Sequence, residues 1–149
     1  MIRGRLVGVA RILRQQPYEA AIGLVGLSGL LEVSRTSRSL AAAVLYPHWV
    51  LVTVGIVLAA GGATTLGGLA GAGTAVGDVG RVMARRFEQA GQFLLCGGFM
   101  ALGAAAGSFG VRGLLGATVY GAIGCAALIR AVMISQVIAR AGRDEGGVS

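Results

Sequence analysis

Residues 47–71 read PHWVLVTVGIVLAAGGATTLGGLAG, and their reading decides the fold class. They lie within residues 39–77, a stretch without Asp, Glu, Lys or Arg. A helix needs about 20 mostly apolar residues, at ~1.5 Å rise each, to cross ~30 Å of hydrocarbon. Pro47 suits a helix start, and Tyr46 and Trp49 suit the headgroup belt. The stretch predicts a membrane span at about 49–70.

The same criterion works outward along the chain. The run between Glu88 and Arg112 predicts a span at about 90–110. The run from Leu114 predicts another over 114–137, with Arg130 inside it. The first run is shorter: Ala20–Leu31, between Glu19 and Glu32, covers only ~18 Å as a helix. Extended to 18–34 it reaches the lower edge of the spanning range, with the glutamates near opposite interfaces. A hairpin or interfacial segment is the alternative. A third option is an Arg-led signal segment, with Ala41–Ala43 resembling a cleavage site.

Composition agrees with a membrane protein. Of the 149 residues, 55% are hydrophobic and 13% charged, and there are 27 glycines besides. Mean hydropathy is +0.78. An ordinary soluble domain has about 25% charged residues. A disordered chain, a disulfide scaffold and an ordinary soluble enzyme are all poor fits.

Every basic residue is Arg, and the net charge is +7. The arginines sit between apolar runs, so they set orientation and do not suggest nucleic acid binding. With the N-terminus inside, Arg3, Arg5, Arg11, Arg14, Arg81, Arg85, Arg86, Arg140 and Arg143 are cytoplasmic. Only Arg35, Arg38 and Arg112 fall outside. Ile2, Leu6, Val9 and Leu13 share one helical face, with Arg3, Arg11 and Arg14 off it. That pattern suits an amphipathic helix over residues 1–16 on the inner leaflet, or a plain orientation signal. The expected fold is a single all-α domain over residues 1–149. It is an integral membrane four-helix bundle with both termini inside and a cytoplasmic tail over 140–149, unstructured from Arg143 on. The expected location is the inner membrane of a bacterial cell.

Small residues recur at every fourth position. Gly55, Ala59, Ala63, Gly67 and Gly71 form one stripe, and Gly113, Ala117, Gly121 and Cys125 another. Such stripes let helix backbones approach closely in lipid. They serve either packing inside the bundle or self-association, and a bulky residue at Ala63 is expected to disrupt that packing.

Chemistry is sparse. Arg130 is an ionisable group inside a span, and those are functional candidates by default. Its position near the cytoplasmic end suits snorkelling, or an interhelix pair with Glu19. Glu19 and Glu32 are candidate ion or proton carriers. Arg81, Arg85 and Glu88 share a face of a cytoplasmic connector and suit local pairing. His48 is the sole histidine, and Cys96 and Cys125 sit in apolar runs, so no metal site is expected. No catalytic group and no cofactor are expected.

Three segments carry a resemblance: Arg-Gln-Gln-Pro-Tyr-Glu-Ala (Arg14–Ala20), Pro-His-Trp (Pro47–Trp49) and Arg-Phe-Glu-Gln-Ala-Gly (Arg86–Gly91). With the size and four apolar runs, they resemble small four-span membrane proteins of actinobacterial phages, some of them proposed holins. The likeness covers most of the chain in layout and only these segments in motif. It implies a protein that accumulates in the host inner membrane and oligomerises into a lesion. An accessory subunit of a membrane complex and a small cation-coupled exporter are the other two functions the residues suit. Self-association or another membrane protein, besides lipid, is the expected partner.

Overall fold

The computed structural model describes residues 16–36, 47–75 and 77–146. They form four α-helices: α1 Pro17–Thr36, α2 His48–Thr74, α3 Gly77–Gly107 and α4 Leu114–Gly146. A short 3-10 turn, Gly110–Gly113, precedes α4. Val52–Thr74, Gly77–Gly107 and Leu114–Arg140 are long and apolar enough to cross a membrane. Helices suit such sequences because a bilayer offers the backbone no water, and a helix satisfies its own amides.

The helix ends follow local chemistry. Pro47 sits before α2 with φ −55° and ψ 139°, and its carbonyl accepts from Val50 N at 2.9 Å. Between α2 and α3 the chain reverses at once. Ala75 is extended and Gly77 has φ +82°, a left-handed conformation that favours glycine. Gly110 supplies the second such turn, with φ +66°.

Two boundaries differ from expectation. The segment read as a connector is the first part of α3, a continuous helix of 31 residues. Its charges interrupt the apolar run but not the helical propensity, since Arg, Met, Ala, Glu and Gln are all good helix formers. At the other end, α4 continues through Arg143 to Gly146, where an unstructured tail is expected. The segment over residues 1–15, with Arg3, Arg11 and Arg14, lies outside the described residues. The first apolar run is one uninterrupted helix and not a hairpin.

Chain neighbours make the close helix contacts: α1 on α2, α2 on α3, and α3 on α4. The helices run alternately up and down, as the pairing of Gly26 with Leu58 and Gly23 with Leu66 requires. α1 and α4 are not packed together in this way, so the array has an open side. The apolar centre joins Ile22, Leu58, Leu95, Phe99 and Ala127. Phe99 also stacks on Tyr120, with ring centroids 6.4 Å apart.

Glycines set the helix spacing. A Cβ at Gly62 would run into the Gly23 carbonyl, and one at Gly68 into the Glu88 amide. A Cβ at Gly91 would meet Thr65. Small residues thus bring the backbones together, which is the main source of helix association in lipid.

The α2 seam is not the expected stripe. Gly55 and Ala59 are buried and Gly71 is half-buried, but Ala63 and Gly67 are exposed. Four residues turn a helix by about 400°, so a strict four-residue stripe drifts about 40° per step. The actual seam alternates threes and fours through Leu58, Gly61, Thr65 and Gly68, all buried. Along the second stripe, Gly113 at the end of the 3-10 turn and Ala117 and Gly121 in α4 are half-buried, while Cys125 has drifted to the exposed side.

Gly68→Ala should therefore destabilise the protomer by about 1–3 kcal/mol through overpacking. Gly67→Ala should be neutral or slightly stabilising, because a Cβ there meets nothing within 4 Å. Thermal unfolding of the two variants in detergent checks this, and equal losses would contradict the seam.

Candidate functional site

The structure places a buried carboxylate where the sequence suggested a surface loop. Glu88 lies on α3 and is fully buried. Its position continues a helical face through Gly91, Gln92, Leu95 and Phe99, at spacings of three and four. That face packs inward, and it carries Glu88 with it.

Glu88 is held from two sides. Arg85 Nη1, one turn earlier on α3, donates to Glu88 Oε2 at 2.5 Å. Arg130 of α4 donates to Oε1 through Nη2 at 3.0 Å and Nε at 3.3 Å. The same Arg130 Nε lies 3.4 Å from Glu19 Oε1 on α1. One guanidinium thus ties α1, α3 and α4 together across the open side of the array. Arginine suits the position because its planar fork presents several donors at once.

The Arg130 side chain turns inward. It is only 25% exposed and points at two carboxylates. The expected pair with Glu19 is present, but the stronger partner is Glu88, which the sequence reading groups only with its helix neighbours Arg81 and Arg85. Arg81 takes no part in that pair. It sits 3.3 Å from Asp78, both well exposed, where an ion pair adds little. Glu32 lies near the far end of α1, ~20 Å along the helix from Glu19.

More polar groups surround the pair. Gln89 Nε2 donates to Ser135 Oγ, which in turn donates to the Ala131 carbonyl at 3.1 Å. Gln92, one turn beyond Glu88, is fully buried, and neither its oxygen nor its nitrogen has a hydrogen-bond partner. The hydroxyl of Thr65 is also buried without a partner. Unsatisfied buried amides cost ~1–3 kcal/mol and usually mark a missing ligand or water.

Two clefts meet at Arg130 and Met133. One, of about 370 Å³, lies between α1 and α4 and is lined by Tyr18, Glu19, Ile22, Gln92 and Ile129 among others. The second, of about 230 Å³, continues toward the end of α4 past Arg85, Ile134, Val137 and Arg140.

Elsewhere the candidates stay apart. Trp49 is 69% exposed in the first turn of α2, a position suited to an interface anchor. His48 begins the same helix. Among the described residues no His, Cys, Asp or Glu cluster is arranged to hold a metal.

The quartet of Glu19, Glu88, Arg85 and Arg130 has no net charge. Such a cluster is tolerable at membrane depth only when its members are paired. Glu88→Gln alone should cost about 3–5 kcal/mol, because it takes the carboxylate from Arg85 and leaves Arg130 only its longer contact with Glu19. Adding Arg130→Gln should recover much of that loss. A double-mutant cycle read by thermal unfolding tests this, and additive losses would mean the two side chains do not couple.

No protein-family model, curated protein or solved structure matches this chain.

Proposed function

We propose that the chain is a four-span protein of a bacterial inner membrane, with both ends in the cytoplasm, acting by assembly in the bilayer and not by catalysis. In this reading α1 crosses with the other three helices. Its ~30 Å length supports that, as do tight turns that force alternating directions. The excess of arginines at the Gly77 and Arg140 ends supports the inward orientation.

The functional form we favour is a holin-like oligomer. The exposed pair Ala63 and Gly67 carries it: two small residues one turn apart on α2, turned away from the protomer's own seam. They leave a shallow strip that another helix can approach closely. Both carboxylates of the Glu88 cluster are paired with arginines, which supports assembly over transport.

Ala63→Trp should leave the protomer's thermal stability within about 0.5 kcal/mol, as for an exposed site, while lowering crosslinked oligomer. In cells, induced wild-type protein should depolarise the membrane abruptly after a reproducible delay, and the variant should delay or abolish that event. Steady potential with the protein extracted from the membrane fraction would remove the lesion-forming function. It would favour the accessory-subunit reading, in which the same strip receives a different protein.

A further inference from the structure

The two clefts that meet at Arg130 form one groove graded from polar to apolar. Its polar end has Arg85 and Arg140, with Gln136 beside them. Its apolar end has Ile22, Ile129 and the ring of Tyr18, with Gln92 in the floor. From Arg140 to Ile129 the groove runs ~16 Å along α4. It opens sideways, because α1 and α4 do not pack against each other.

Charge decides what the polar end attracts. Three guanidiniums line the groove, of Arg85, Arg130 and Arg140, against one carboxylate, Glu19, with the buried Glu88 bonded to Arg85 and Arg130 behind it. Arg130 is neutralised on both sides, by Glu88 and Glu19. Glu19 repels an anion from the neck of the groove, so the positive excess lies at the Arg140 end. Gln92 adds an independent requirement. It is wholly buried, lines the floor, and has both a free donor and a free acceptor. It lies ~10 Å further along α3 than Arg85, toward the apolar end.

We propose that this groove holds one anionic phospholipid, with its phosphate at Arg85 and Arg140, its ester oxygens at Gln92, and an acyl chain along Ile22 and Ile129. Such a molecule matches the grading: a negative head, a hydrogen-bonding waist and an apolar tail. The Gln92 amide donates to an ester carbonyl, satisfying the donor that the protein leaves unpaired. Basic clefts between membrane helices on the cytoplasmic side attract anionic headgroups for the same reason. The proposal rests on the chain being embedded in a bilayer.

The test uses the full chain, reconstituted in nanodiscs of mixed phosphatidylcholine and phosphatidylglycerol and examined by native mass spectrometry after release. Wild type should retain one phosphatidylglycerol, favoured over phosphatidylcholine by about fivefold, the worth of one surface arginine. Arg140→Gln should abolish that preference. Gln92→Leu should lower retention of diester phosphatidylglycerol but leave that of the diether analogue unchanged, since the analogue has no carbonyl. Gln92→Leu is close in volume and removes two unpaired polar atoms, so folding should survive.

Equal retention of the two headgroups by wild type would overturn the proposal. So would a preference that survives Arg140→Gln, or equal loss of diester and diether lipid in Gln92→Leu. Displacement by free glycerol phosphate would also overturn it, showing a site for a soluble anion. Alkaline extraction of the same membranes separates the two levels. A chain released by carbonate fails the membrane reading itself, whereas an embedded chain without lipid selectivity fails only this inference.

Discussion

The buried carboxylate of Glu88 is the constraint around which the helices are arranged. Removing a charge from water costs several kcal/mol even after relaxation, and more where lipid replaces water. Two guanidiniums offset that cost here, one from the same helix and one from α4. The local partner, Arg85, is available as soon as α3 forms. The distant partner, Arg130, is available only when α4 lies antiparallel to α3 with one particular register. A slip of a single turn would move Arg130 by ~5 Å, part it from Glu88 and leave the carboxylate to Arg85 alone. The pair therefore selects register, while apolar side chains alone discriminate weakly between sliding positions in lipid.

Close backbone approach makes that register reachable. Gly68 lies against the Glu88 amide and Gly91 against Thr65, so α2 and α3 meet without intervening side chains on the turn that carries the carboxylate. A larger residue at either glycine would push α3 outward and open Glu88 to the surroundings. Packing and electrostatics are thus one arrangement: glycines remove the space water would need, and arginines neutralise the charge the exclusion strands. Arg130 then extends the same device to α1 through Glu19, on the side where no close helix contact exists.

Much of the fold is legible in composition and run length. The apolar run from 49 to 70, and the two later runs, correspond to helices of spanning length because both hydropathy and helix length are local properties. The start of α3 is not legible in this way: the apolar run puts the span at about 90–110, while the helix begins at Gly77, because a charged segment of good helix formers extends a helix as readily as an apolar one. The role of Glu88 was missed for a related reason. Its helical face with Gly91, Gln92, Leu95 and Phe99 is visible in the sequence, but its long-range partner is 42 positions away and no local pattern names it. Arg130 was visible as an anomaly, and Glu19 was visible as a partner. The stripe on α2 failed at its centre through helix geometry: regular fours look like a seam on paper and drift around the cylinder in space.

That drift separates two roles along a single helix. Leu58, Gly61, Thr65 and Gly68 face the protomer and are buried, whereas Ala63 and Gly67 face away. A helix with one small-residue face would have to choose between folding and assembly. A helix with two can complete its own packing and still present a close-approach strip to the bilayer. The internal ion pairs make this division workable, because the protomer's register is fixed without drawing on the outer face. Assembly at that face then needs no rearrangement of the Glu88 cluster, and its strength is set by van der Waals contact at a few small residues. In the proposed assembly, weak contacts of this kind would add up only at high density in the membrane, which is the physical condition for a concentration-triggered change.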